Sequence, residues 1–309
     1  MNGAERKVSM DGAPVFRRKY DEYVNIVNNA LDRCIPADGR PGSEIYNAMK
    51  YSLAAGGKRL RPVLALAACD MLGGSRNDVL PFACAIEMIH TYSLIHDDLP
   101  AMDNDDYRRG MLSNHKVFGE AMAILAGDAL LNRAYEVMIS HIMRNERDFM
   151  AYVRAMDVIA ASAGVEGMIR GQTLDICSEG CELSKDTLEY MHRCKTGALI
   201  RAAVLSGACI GRASEQEYKA LEKYAENIGL AFQIKDDIMD VEGSLDRMGK
   251  MAGKDAASGK NTYVSAYGIE KAAQLLDRSV SAAVEALDRF GEEAGFLRDL
   301  ALFIRDRDN

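Results

Sequence analysis

The chain is short of positive charge: 38 Lys and Arg stand against 46 Asp and Glu, a formal net charge of −8 over 309 residues. Binding a nucleic-acid backbone needs a positive footprint, so nucleic acid is excluded as the main partner. Small anionic substrates are not excluded, because they answer to local cations and metal ions rather than to net charge. Tryptophan is absent, proline occurs only six times, and no Pro/Ser-rich linker divides the chain. No apolar run is free enough of charge to read as a membrane span, while 48% hydrophobic residues is too many for a disordered chain. The seven cysteines include no CxxC pair, and Cys177 and Cys181, four apart, lack a second pair to complete a zinc set. No secretory signal is visible over Met1–Asp11, so reduced thiols in a cytoplasmic protein are the expectation.

Strand signals are also nearly absent. Apolar residues recur at helical spacing through Leu64–Met71, Phe82–Ile95, Ala121–Ile142, Val153–Ile169, Leu199–Ile210, Tyr218–Met239 and Ala272–Phe290. Turn clusters at Gly73–Ser75, Asn104–Ser113, Cys177–Ser184 and Gly211–Ser214 separate them. A Gly/Lys/Asp-rich stretch over 244–261 is long enough to be a functional loop. No repeat is evident. The expectation is one all-α domain over 1–309, with 1–20 a flexible lead-in and ten or more helices around a central cleft. The helix through Ile95, apolar on most faces, should lie inside a ring of others.

Two stretches carry chemistry. Asp97-Asp98-Leu-Pro-Ala-Met-Asp103 and Asp236-Asp237-Ile-Met-Asp240 each end an apolar helical run in carboxylates, where Asp is a poor helix former. Asp236 and Asp240 share a helix face. Asp97 and Asp103 are six apart and would not align, but Pro100 between them should distort the turn and bring Asp103 back. Like charges gathered together need cations, and an oxygen-only donor set favours a hard ion held jointly with substrate phosphates. Two acidic walls holding a diphosphate through bridging Mg²⁺ are therefore expected.

Basic residues complement them. Gly56-Gly57-Lys58-Arg59-Leu60-Arg61-Pro62 offers a flexible turn, three cations and a proline suited to opening a helix, a combination that fits an oxyanion. Arg108-Arg109, Lys195-Thr196, Lys250, Lys254 and Lys260 extend the set toward two anion sites, one clamped by metal and one held by Lys and Arg alone. His90, seven residues before Asp97, should face the same cleft. His96-Asp97 also admits a rival reading as an HD-type metal phosphohydrolase, but that leaves the second cluster and the basic turn without a role.

These motifs resemble those of the head-to-tail trans-isoprenyl diphosphate synthases. The likeness also takes in His115-x3-Gly119-Glu120, Gly127-Asp128, Gly171-Gln172-x2-Asp175 and Phe232-Gln233, and runs in order from about residue 45 to the end. The four-residue spacer of the first motif resembles the bacterial farnesyl and plant-type geranylgeranyl branch. The resemblance implies an isoprenoid-synthase bundle, a homodimer, and three Mg²⁺ (with Mn²⁺ a substitute) organised by Asp97, Asp98, Asp103, Asp236, Asp237 and Asp240. It assigns Arg108, Lys195, Thr196, Gln233, Lys250 and Lys260 to the allylic diphosphate (dimethylallyl or geranyl), and Lys58, Arg61, His90 and Arg109 to isopentenyl diphosphate. Which of Arg305 and Arg307 stands in for the basic tail of relatives stays open.

The implied chemistry is ionisation of the allylic C–O bond, attack by the isopentenyl double bond, and proton loss to the released diphosphate. Tyr92 and Ser93, about 5–7 Å before Asp97 along the helix, are placed to block the growing chain. A Tyr there resembles the farnesyl enzymes, so farnesyl diphosphate is the expected product and geranylgeranyl diphosphate the alternative. A non-catalytic partner subunit is a more distant reading, since both Asp sets are intact.

Overall fold

Ala, Leu, Met and Glu dominate the periodic runs, and the backbone follows them into helices. A computed structural model describes residues 12–36, 39–145, 148–246 and 261–307. The helices are α1 (Gly12–Cys34), α2 (Glu44–Ala54), α3 (Leu60–Met71), α4 (Arg76–Asp97), α5 (Asn114–Phe118), α6 (Glu120–Arg144) and α7 (Phe149–Ala163). They continue as α8 (Met168–Cys177), α9 (Lys185–His192), a π-helical turn (Arg193–Gly197), α10 (Ala198–Ile210) and α11 (Glu215–Asp246). The chain closes with α12 (Tyr263–Tyr267), α13 (Ile269–Ala286), a 3-10 segment (Asp288–Ala294) and α14 (Gly295–Asp306). One hairpin pairs β1 (Tyr107–Arg108) with β2 (Met111–Leu112) around Arg109 and Gly110, both at positive φ as a tight two-residue turn requires.

The all-α expectation holds, and the reason lies in two central helices. α4 buries twelve side chains, from Val79 to Ile95, and packs against α1, α2, α3, α6 and α10. α10 buries ten of its thirteen residues among α3, α4, α7 and α11. Such all-round apolar helices are stable only inside a ring of others. Among the described residues α4 alone is long and apolar enough to cross a bilayer, yet 67% of that stretch is buried against its neighbours. The Gly211–Ser214 turn ends in a reciprocal cap: Ser214 Oγ accepts from Glu217 N–H at 3.4 Å and Glu217 Oε2 accepts from Ser214 N–H at 2.7 Å.

Three expectations need correction. Residues 12–20 are not a lead-in but the first turns of α1, anchored by Phe16 and Tyr20 against Phe303 of α14. The run through Val153–Ile169 is two helices, because Gly164 adopts an extended ψ and the chain turns through Gly167 before α8. The expected loop from 244 starts later, since α11 continues to Asp246. Most of that loop, with Lys250, Lys254 and Lys260, lies outside the described residues.

Candidate active site

Asp97 is the last residue of α4 and Asp98 its C-cap, so both carboxylates sit at the negative end of the helix dipole. That placement is unfavourable without cations. The turn after Pro100 does bring Asp103 back: its N–H donates to Asp97 O at 2.8 Å, and Asp105 N–H donates to Asp98 O at 3.2 Å. Burial pushes the Asp97 carboxyl up to about 6, with Lys195 opposing that rise and Asp103 adding to it. Asp98 turns inward and is only 2% exposed. Arg108, delivered by the hairpin, grips it with Nε at 3.0 Å and also through Nη2.

The second cluster lies on α11. Ile228, Ala231, Ile234 and Ile238 form its buried stripe, which leaves Gln233, Asp236, Asp237 and Asp240 together on another face. Asp237, 3% exposed, accepts from Gln233 Nε2 at 2.8 Å and from Tyr263 N–H at 2.7 Å. Asp236 is raised by burial, an effect opposed chiefly by Arg307 and Lys58. In both clusters, then, the second aspartate is the buried one, while Asp97, Asp103, Asp236 and Asp240 are more exposed. Among the described residues no three side chains of metal-ligating type converge into a cage. The donor set is hard oxygen on two helices, which fits a cation completed by substrate phosphates rather than one enclosed by protein.

Between the two clusters runs the π-turn Arg193–Gly197, whose Lys195 Nζ meets Asp175 Oδ2 of α8 at 2.5 Å and whose Thr196 hydroxyl donates to Gln233 Oε1 at 2.9 Å. A Cβ on Gly171 would collide with the Lys195 backbone, so glycine there lets α8 approach the turn. Asp175, the last residue of the Gly171-Gln172-x2-Asp175 motif, thereby orients the Lys195 ammonium. Beneath the turn, His192 stacks on Tyr263 at 5.3 Å, and burial pulls its imidazole down to about 4.

The basic pocket gathers on the other side. Arg59 takes a left-handed backbone (φ 50°) and points inward, with Nη1 on Glu87 Oε1 at 2.8 Å and Nη2 on Leu53 O at 2.5 Å. The third cation of the Gly56–Pro62 turn is thus a structural post. Pro62 lies in the first turn of α3, as expected. Arg61 is half-buried, its Nε shut away without a partner, and burial lowers its pKa, as it does for Lys58 and Arg109. Arg109 reaches Gly56 O, and Gly57 (φ +120°) admits its guanidinium to where a Cβ would lie 2.5 Å from Arg109 Cζ. Burial and the charges of Arg61, Arg109, Arg108 and Arg59 hold His90 neutral in the middle of this set. Cations packed this way suit an anion.

Of the two tail arginines, Arg307 is the one that reaches the second cluster. It is buried, donating to Asp236 Oδ1 at 2.6 Å and Phe232 O at 3.1 Å over the Phe232 ring, whereas Arg305 pairs with its neighbour Asp306. Tyr92 sits edge-on to His96 with ring centroids 5.7 Å apart, on the side of α4 that meets Tyr135 of α6, and Ser93 Oγ is occupied by His90 O at 3.0 Å. His96 Nε2 lies 3.1 Å from Ile124 O, so its ring is engaged with α6 and not with Asp97, against the HD-type reading.

An all-helical bundle that brings two carboxylate clusters together with a group of cations suits a diphosphate bound with a metal ion. The pattern of the polyprenyl synthetase family matches residues 43–292, and the chain belongs to that family of trans-prenyltransferases. It is 46% identical over 289 residues to a geranylgeranyl diphosphate synthase of Cyanophora paradoxa, covering 93% of this chain and 95% of that one. It is 45% identical over 287 residues to a farnesyl diphosphate synthase of Micrococcus luteus, covering 93% and 96%. Among solved structures, an FPP/GFPP synthase of Zymomonas mobilis superposes with a TM-score of 0.85 at 34% identity, over 95% of this chain and 99% of that one.

Proposed function

We propose that the protein condenses isopentenyl diphosphate with dimethylallyl and then geranyl diphosphate to make (2E,6E)-farnesyl diphosphate. The observation that supports the product length is Tyr92: five residues before Asp97, 8% exposed and close to His96 and Tyr135, it would wall the path of the growing chain below the first cluster. Geranylgeranyl diphosphate is the second reading, favoured by the relatives that bear that name. Asp97, Asp103, Asp236 and Asp240 would hold Mg²⁺, with Asp98 and Asp237 anchoring the two walls. Bound there, Mg²⁺ supplies the positive charge that makes diphosphate a leaving group.

The remaining steps fall to the chain itself. Arg108, Lys195, Thr196 and Gln233 orient the allylic diphosphate, and Asp175 fixes the Lys195 ammonium. Lys58, Arg61 and Arg109, with neutral His90, hold isopentenyl diphosphate so that its double bond faces the allylic carbon. Apolar walls and the Arg307 strap keep water from the cation. Ile124, Leu125, Ile139 and Met143 on α6, with Ile169 and Ile176 on α8, expose an apolar face suited to a second copy of the chain.

The test is incubation with Mg²⁺, isopentenyl and dimethylallyl diphosphates, followed by chain-length analysis. A C15 product that lengthens in Tyr92→Ala is expected. A C20 product from the unaltered protein, or an unchanged C15 product from the variant, would refute the farnesyl assignment; no condensation at all would refute the whole reading.

A further inference from the structure

The turn that carries Lys58 is loose by composition and tight by contact. Gly56 (φ +79°), Gly57 (φ +120°) and Arg59 (φ 50°) all take positive φ. Glycine enters that region at little cost, so the two glycines alone would let Lys58 point in several directions. The ends of the turn are tied down. Arg109 donates to the Gly56 carbonyl, and Arg59 donates to Asn28 of α1, Glu87 of α4 and the Leu53 carbonyl. Lys58 lies between these ties.

Its carbonyl is denied the usual helical donor. As α3 begins, Val63 N–H donates to Arg59 O at 3.1 Å. One residue upstream, the Lys58 carbonyl would look to residue 62, which is proline and has no N–H. A side chain from α1 takes that place: the Tyr20 hydroxyl donates to Lys58 O at 2.5 Å. Tyr20 is itself held by packing, with its ring centroid 5.8 Å from that of Phe16 and 6.0 Å from that of Phe303 on α14. Burial, reinforced by Glu87 and opposed by Arg307, raises its phenol well above the ordinary range, so the hydroxyl keeps its proton. Four residues past Phe303, the end of α14 delivers Arg307 to Asp236. Tyr20 therefore stands between the α14 strap and the basic turn.

We propose that Tyr20 is a positioning residue for Lys58: its hydroxyl fixes the Lys58 carbonyl where Pro62 cannot, and so aims the Lys58 ammonium at isopentenyl diphosphate. This rests on the reading of Lys58 as a ligand of that substrate. The bond is to backbone, and that is where it has leverage, because a small rotation there is magnified along the flexible four-carbon stem of the lysine. A bond that merely anchored α1 would act on stability and on both substrates alike.

Tyr20→Phe keeps the ring on Phe16 and Phe303 and deletes only the donor. Calorimetric titration with isopentenyl diphosphate, and initial rates with each substrate varied, are measured on the full-length protein. The set is the unaltered chain, Tyr20→Phe, Lys58→Ala and the double variant. Tyr20→Phe should weaken isopentenyl diphosphate binding and raise its KM about fivefold, the worth of one neutral hydrogen bond, with kcat and the allylic KM little changed. In the Lys58→Ala background the same substitution should change nothing, because the group it positions is gone. The proposal is overturned if Tyr20→Phe weakens both substrates alike, or keeps its full effect without Lys58. It is also overturned if Tyr20→Phe binds isopentenyl diphosphate normally while Lys58→Ala does not. If Lys58→Ala binds it as tightly as the unaltered protein, the ligand reading of Lys58 fails first and takes the proposal with it.

Discussion

The ion pair between Arg307 and Asp236 is lopsided, and that asymmetry predicts how each partner's loss is felt. The Arg307 side chain is 2% exposed and the Asp236 side chain 40%. Removing the arginine, as in Arg307→Met, leaves a carboxylate that water reaches, and the methionine keeps much of the packing on Phe232. The loss should be that of a solvent-screened pair, about 1 kcal/mol. Neutralising the carboxylate, as in Asp236→Asn, strands a buried guanidinium whose Nε and Nη1 already lack partners. Leaving a charge buried and uncompensated costs more, about 3 kcal/mol, the lower edge of the usual range because Asp236 itself is half open. For a chain of this size, 1 kcal/mol moves Tm by about 2 °C, so the variants should fall by about 2 °C and about 6 °C. Differential scanning calorimetry of metal-free protein reads both values. With Arg307 gone, Asp236 has lost its internal counter-ion, and the Mg²⁺ concentration that half-saturates the Tm increase should drop by several-fold. Equal Tm losses, or a larger loss for Arg307→Met, would refute the burial argument. An unchanged or weaker Mg²⁺ response would refute the idea that Arg307 and the metal compete for Asp236.

Three further outcomes are expected. Because burial raises Asp97 to about 6, the folded state holds its proton between the ordinary carboxylate value and that pH; the stabilisation is present at low pH and lost as pH rises through about 6. Metal needs the deprotonated form, so the Tm increase given by Mg²⁺ should be small at pH 5 and complete by pH 7.5; a midpoint near 4 would contradict the burial. Gly57→Ala places a Cβ in the Arg109 guanidinium at an unfavourable φ and should raise KM for isopentenyl diphosphate about tenfold, with KM for the allylic substrate little changed; initial-rate kinetics with each substrate varied separates the two. Asp175→Asn removes the charge that orients Lys195 and should lower kcat about tenfold, in line with one charge-assisted bond, while leaving isopentenyl binding intact; equal effects on both substrates would show a folding defect instead.

The sequence carried the site's composition more faithfully than its division of labour. The spacing of Asp236 and Asp240 and the proline between Asp97 and Asp103 were enough to place the carboxylates, because helix periodicity and a proline turn are local rules. What stayed hidden was set by partners distant in the chain. Asp98 and Asp237 look the same as their neighbours in one dimension, yet Arg108 from the hairpin claims one and Tyr263 N–H with Gln233 claims the other. Arg59 reads as a third ligand-binding cation, and only its left-handed backbone and the buried Glu87 on α4 turn it away. The break between α7 and α8 had its signal in Gly164 and Gly167, but the apolar rhythm running across both glycines outweighed it. Arg307 was one of two equivalent arginines until α14 delivered it to Phe232 and Asp236. In each case a charge pattern shows that like charges are gathered, while burial decides which of them is already neutralised. The same reasoning separates Asp98 and Asp237, the buried anchors of the two walls, from the more exposed aspartates beside them. It makes Asp98→Asn a test of wall geometry through its effect on Arg108, and Asp97→Asn a test of metal binding itself.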